Sequence, residues 1–247
     1  MTYRPRLSRP TLIVRARTQT LRLEVWDDSA LAEPSAGTVT ITDASGAEVV
    51  SAASVTIVSG VATYSLAAAT IPVTLSLSDA WTVAWDLTLA GVAERFTSPA
   101  ALVRAGWAET LTPGDLIARH PEIAPAREID PQQEGGPTTL GSWIEEAGTE
   151  LFTRLWTDGK KPWLILDPWA ARRYLLPQAL CIGMRWASTF MEQRGALVML
   201  AAAYEEAAEK AYDALQFRYD HGETGALADA VRIGAADMAV LGAGRAR

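Results

Sequence analysis

Cysteine is nearly missing from this chain of 247 residues, where Cys181 stands alone. No disulfide can form within the chain, and nothing points to secretion. Histidine is almost as scarce, with only His120 and His221, both in polar, loop-like contexts. The few His, Cys and acidic residues show no paired metal-ligand spacing. No apolar run reaches the roughly 20 residues that a membrane-spanning helix needs. Arg-Pro pairs interrupt the N-terminus, so no signal peptide is visible. There is no Gly-x-Ser-x-Gly elbow and no phosphate loop, and Gly242-Ala-Gly244 follows no predicted strand. Cys181 falls inside an apolar helical run, where a thiol is a small core residue rather than a nucleophile. The sequence therefore predicts a protein that is not an enzyme and holds no cofactor and no metal.

What is present is apolar. Hydrophobic residues make up 49% and charged residues 21%, which is the balance of a globular chain with ample core material. The length suggests two ordinary domains. The net charge of -7 argues against nucleic acid or an anionic membrane as partner. That charge is uneven. Residues 1–104 hold 8 Lys+Arg against 9 Asp+Glu, and residues 105–247 hold 14 against 20. Arg4, Arg6, Arg9, Arg15 and Arg17 precede any acid, so residues 1–18 read either as a basic arm reaching an acidic neighbour or as a frayed end.

Residues 11–104 alternate with period two, with the β domain itself placed at 19–104. Leu21, Leu23 and Val25 share a face, as do Val39 and Ile41, and Val55 and Ile57. Trp81, Val83, Trp85, Leu87 and Leu89 line one face of a longer run. Asp27-Asp28, Pro34-Ser35, Ser45-Gly46, Ser59-Gly60 and Ala90-Gly91 punctuate these runs as turns. The pattern predicts a β-sandwich. Trp81 and Trp85 fit its core, or else an exposed aromatic platform for sugars.

After Arg104 the period changes to that of helices. Thr112 or Gly114 caps a short helix with Asp115 in its first turn. Residues 124–137 are rich in proline and glycine and read as a loop. Ser142 and Glu145 form a capping-box pattern ahead of a stripe of Leu140, Ile144, Ala147, Leu151 and Leu155. Asp167-Pro168 reads as the start of the next helix, with Pro177 kinking or restarting it. Leu180, Met184, Ala187 and Met191 follow as a stripe. Leu197, Ala201, Tyr204, Ala208, Ala211 and Leu215 give a heptad seam on a last long helix running to Asp220, with Glu205, Glu206, Glu209 and Lys210 outside. Residues 221–247 form a Gly- and Ala-rich extension with one short helix over 225–239. Leu227, Val231 and Met238 lie on one face of it, and the segment either stays disordered or folds on a partner.

Six of the nine tryptophans fall in the helical part, more than a small bundle buries completely. Trp is favoured at interfaces, so some of the six are expected as contacts, with Trp143 and Trp186 as candidates.

The order of Leu140-Gly-Ser-Trp-Ile-Glu-Glu-Ala, Leu176-Pro-Gln-Ala-Leu-Cys-Ile-Gly-Met-Arg-Trp and the Ala-rich helix closing on Tyr212-Asp-Ala-Leu-Gln-Phe-Arg-Tyr-Asp220, after Thr112-Pro-Gly-Asp-Leu-Ile-Ala-Arg-His-Pro, resembles the head–tail adaptor (connector) proteins of tailed bacteriophages and gene transfer agents. The resemblance spans residues 112–225. It implies a virion neck protein made in the host bacterial cytoplasm, forming a homo-oligomeric ring, commonly of twelve, between the portal protein and a tail-side stopper or terminator. The genome would be the only nucleic acid to pass it. The β part resembles immunoglobulin-like decorations on phage structural proteins, which leaves a tail or baseplate role, or a carbohydrate- or surface-binding module, as alternatives. The expected class is α+β in two domains: a basic arm (1–18), an immunoglobulin-like sandwich (19–104), a helical bundle (105–220) and an extended tail (221–247). Arg4, Arg6, Arg9, Trp143, Trp186, Leu227, Val231, Arg232, Met238, Arg245 and Arg247 are the expected contact residues.

Overall fold

The computed structural model of the protein describes residues 3–6, 10–27, 30–121, 123, 139–189, 194–223 and 231–234. The chain divides into two compact units, Met1–Arg104 and Ala105–Arg247. The first is β-rich and the second largely helical, an α+β arrangement in two parts.

The first unit holds β1 (Tyr3–Arg6), β2 (Thr11–Val14), β3 (Gln19–Asp27), β4 (Ala30–Leu31), β5 (Ala36–Thr42), β6 (Glu48–Ser54), β7 (Thr56–Val58), β8 (Val61–Leu66), β9 (Ser78–Leu89) and β10 (Val92–Val103). They form two five-stranded sheets. One has the order β1-β3-β8-β7 with β4 beside β3, and the other has β2-β10-β9-β5-β6. Alternation decides which side chains are buried. Leu21, Leu23 and Val25 of β3 are buried, as are Val39 and Ile41 of β5. On β9, Trp81, Val83, Trp85, Leu87 and Leu89 are all at most 2% exposed, so the aromatic run is core. The β7–β8 and β9–β10 hairpins turn at the expected Ser59-Gly60 and Ala90-Gly91 pairs, where both residues of each pair take positive φ. Paired positive φ is the signature of a type I′ turn, whose twist matches that of its strands.

Residues 1–18, expected as an arm, instead supply two strands. β1 pairs antiparallel with β3, and β2 pairs parallel with β10 in the other sheet. Their charges hide this in the sequence, because an edge strand needs only one buried side. The edges are guarded. The Val14 amide donates to Gln19 Oε1 at 3.1 Å and Gln19 Nε2 donates to the Val14 carbonyl at 3.4 Å, a side-chain amide standing where another strand would. At the far edge, the β5–β6 register shifts and Ala52 has φ 43°, a bulge that bends the strand away from edge-to-edge pairing.

The second unit holds α1 (Pro113–Arg119), α2 (Leu140–Thr157), α3 (Arg172–Ala187), α4 (Arg194–Asp213), β11 (Gln216–Tyr219) and β12 (Val231–Gly234). α1 begins in a capping box between Thr112 and Asp115. α2 starts one turn earlier than the sequence suggests. Its cap is Thr139, whose Oγ1 accepts from the Ser142 amide at 3.1 Å, while the Thr139 amide donates to Ser142 Oγ at 3.0 Å. The predicted stripe of Leu140, Ile144, Ala147, Leu151 and Leu155 is buried. Asp167 caps a 3₁₀ turn, Pro168–Ala171, that runs into α3. Pro177 is the sixth residue of α3, and the helix continues through it rather than restarting there.

α4 stops at Asp213 rather than Asp220. Gln216-Phe-Arg-Tyr219 alternates exposed Gln216, buried Phe217, half-buried Arg218 and buried Tyr219, which is strand periodicity, and it pairs antiparallel with β12. The expected tail helix is therefore a strand where it is described, at Val231–Gly234, in keeping with its β-branched Val231 and Ile233.

α3 packs against α2 and against α4. At Gly183 of α3 the ring of Trp143 from α2 fills the space of a side chain: a Cβ there would lie 2.3 Å from Trp143 Cε3. We expect Gly183→Ala to destabilise the helical unit by about 1–3 kcal/mol, the usual cost of overpacking, with the far-ultraviolet circular dichroism of the folded protein unchanged. A denaturation midpoint equal to that of the wild type would show that α2 and α3 do not meet this closely.

Candidate interaction surfaces

The residues expected to make contacts fall in several places. Arg4 is exposed on β1, in register with Trp26, and Arg6 is in register with Glu24. Arg9 lies outside the described residues. Arg15 is turned inward, its Nη1 donating to the Leu75 carbonyl at 2.8 Å, while Arg17 is exposed. Trp143 is 1% exposed and is core, because Gly183 opens a slot for its ring. Trp186 is half-buried one turn further along α3, its ring tilted 50° to that of Trp143 with centroids 6.3 Å apart. Val231 and Arg232 belong to β12, in register with Tyr219 and Arg218. Leu227, Met238, Arg245 and Arg247 lie outside the described residues. The structure thus brings Trp143 and Trp186 together and leaves the arginines of β1 in the other unit.

Trp81 and Trp85 are each 2% exposed, so they offer no flat aromatic platform to a sugar. Among the described residues no group of three His, Cys, Asp or Glu is placed to hold a metal, and no helix is long and apolar enough to cross a membrane. Cys181 is buried on α3, and burial pushes its thiol above the usual value, away from the reactive thiolate.

The helical unit deals its six tryptophans unequally. Trp107 is core, edge-on to Phe152 and Phe217 at 6.3 and 5.5 Å. Trp156, Trp163 and Trp186 are half-buried. Trp169 is 59% exposed and is the one tryptophan of the nine that faces solvent. The sequence reading passed it over, although the signal was there: Asp167-Pro168 at a helix start puts the following residue in the first turn. Its amide donates to Asp167 Oδ1 at 3.0 Å, which fixes its backbone. The Arg172 guanidinium lies 5.7 Å from its ring. Arg172 is itself clamped, donating to Asp115 Oδ1 at 2.6 Å, to Asp115 Oδ2 at 3.3 Å and to the Thr110 carbonyl at 2.7 Å. Trp and Arg are both residue types enriched at binding hot spots.

A second cluster ties α2 to α4. Arg154 donates to both carboxylate oxygens of Glu209, at 2.6 and 2.8 Å, and lies 3.6 Å over the Tyr212 ring. Tyr212 donates to Asp158 Oδ2 at 2.5 Å, and burial first, then that bond, raises its phenol well above the usual value. Burial likewise pushes Tyr174, edge-on to Tyr212, up to about 12. His120, at the end of α1, meets the Tyr204 hydroxyl of α4.

No protein-family model matches this chain, and no curated protein or solved structure matches it either.

Asp115 is the linchpin of the Trp169 platform. The Arg172 hydrogen bond, and next the Thr112 amide, hold its carboxyl below the ordinary value. A depressed carboxyl stabilises the fold fully above its unfolded value, near pH 3.9, and that contribution is lost as pH falls through the lower folded value. Asp115→Asn should therefore cost about 1–2 kcal/mol at pH 7, a lost cap plus a partly exposed ion pair. Measured by urea unfolding, the gap from wild type should shrink as pH is lowered from about 7 to about 3. An equal gap at both ends would remove the ion pair from the account.

Proposed function

We propose that the chain is a structural virion protein, a head-to-tail adaptor whose helical unit forms a ring between the portal and the tail components of a phage neck. The observation that carries this reading is the helical unit itself. A capped lead-in at Thr112, then α2, α3 and α4, occur in the order the adaptor resemblance requires, and the apolar stripe of α2 is wholly buried. In this reading Met238, Arg245 and Arg247, which follow β12 in the sequence, contact the portal.

The first unit is read as an immunoglobulin-like sandwich decorating this adaptor. Taking β1, β3, β8 and β7 as strands A, B, E and D, and β10, β9 and β5 as G, F and C, supports the reading, because these are the two strand orders of that fold, with β6 in the place of C′. The disulfide that joins strands B and F in antibody domains has no counterpart, since the lone cysteine lies in the other unit. Trp81 and Trp85 of β9 are buried.

Imaging the intact particle tests the reading: density for this chain is expected as a ring directly below the portal, and density in the baseplate or the fibres would overturn it. Truncation after Gly234, which keeps β12, should leave helical circular dichroism per residue unchanged but prevent attachment to portal-bearing heads. Normal attachment by the truncated protein would move the anchor to the surface around Trp169.

A further inference from the structure

The most exposed large apolar side chain among the described residues is Met199, 76% accessible on α4, with Val198 beside it at 51%. They belong to a stretch, residues 195–203, without a single charge. The second half of α4 is different. There Glu205 pairs with Arg185, Glu206 with Lys210 and Glu209 with Arg154. At 3.6 residues per turn, Gly195, Met199, Ala202, Ala203 and Glu206 share the side of α4 opposite the buried Ala201, Ala208 and Tyr212.

We infer that this face is covered by a second copy of the chain, its α4 laid antiparallel across the first. With the two-fold axis between Leu200 and Ala201, Met199 of each copy meets Ala202 of the other, and Val198 flanks the contact. Each methionine falls on a small side chain, and the same patch serves both copies, as a two-fold contact requires. Charge selects the direction. The antiparallel arrangement brings Glu206 to Gly195 of the second copy, at the positive end of its helix dipole. A parallel arrangement would set Glu206 against Glu206. Size excludes a strong dimer. One helix crossing buries less than the roughly 800 Å² per partner of a standard interface, so the pair forms and dissociates at micromolar concentrations. The pairing stands apart from the neck reading and needs neither portal nor ring.

Sedimentation velocity of the full chain over about 1–200 µM tests it. A monomer–dimer equilibrium is expected. Met199→Lys should weaken it at least tenfold with unchanged circular dichroism, since the side chain is exposed. The variant M199C/A202C should form disulfide-linked dimers under mild oxidation, because the two positions oppose each other. Ala207→Cys should not, because its two copies would lie about 20 Å apart along the helix axis, beyond disulfide reach. A monomer at every concentration, a dimer indifferent to Met199→Lys, or cross-linking through A207C as ready as through M199C/A202C would each overturn the inference.

Discussion

A tryptophan ring lying on a glycine sets the geometry of the helical unit. Trp143 reaches from α2 to the one position on α3, Gly183, where no side chain stands in its way, and its ring atoms occupy the space a Cβ would fill. That lets the two helix backbones approach closely while the ring still loses its solvent-exposed area, a large hydrophobic gain for one residue. Everything downstream inherits the placement. Leu175, Leu180, Cys181 and Met184 are buried on the same helix, Trp186 leans on Trp143 one turn along, and α4 packs on α3 as well. At its other end α3 begins with Arg172, which Asp115 of α1 holds. The exposed Trp169 stands on the 3₁₀ turn just before it.

How much of this was legible depended on how strongly one face was buried. β3, β5 and β9 could be read because their alternation is complete, and the hairpin turns because Ser59-Gly60 and Ala90-Gly91 tolerate positive φ. The stripe of α2 was as plain. β1 was not, because Tyr3-Arg-Pro-Arg6 carries too little apolar contrast to separate an edge strand from a charged arm. Ends of helices were harder than middles. Ser142 suits a cap by residue type, but the cap is Thr139, and Leu140 is already buried within the helix. The end of α4 was misjudged for a related reason: a seam through Leu215 continues the helical period, whereas Phe217 and Tyr219 are buried at strand spacing. Their partner strand lies beyond a stretch of Ala and Gly that says little about where pairing begins.

The tryptophan count raised the right question and could not assign the answer. Volume arguments say that a small helical unit leaves some indole area outside. They do not say which indole, because that depends on what faces each one across the unit. Trp143 faces a glycine and disappears. Trp169 occupies the first turn after a proline, where the chain is held by Asp167, and it stays 59% exposed. The deciding signal was the local cap rather than the aromatic content, and for that reason the most exposed indole was the one that the stripe-based reading overlooked.

The electrostatics of the helical unit limit what kind of partner its surface suits. Residues 105–247 carry most of the net negative charge, yet the acids along α4 are largely spent within the unit. Glu205, Glu206 and Glu209 each have a cation at 2.6 Å. Such exposed pairs contribute roughly 0–1 kcal/mol each, so they orient helices more than they stabilise them. The unit's accessible surface includes two apolar or aromatic features: residues 195–203 of α4 with Met199 at their centre, and Trp169 beside a clamped Arg172. Association through such faces draws on buried area and fit rather than on charge. Its on-rate then stays near the unsteered 10⁵–10⁶ M⁻¹s⁻¹ range and changes little with salt, and its specificity comes from which large side chain finds a small one opposite.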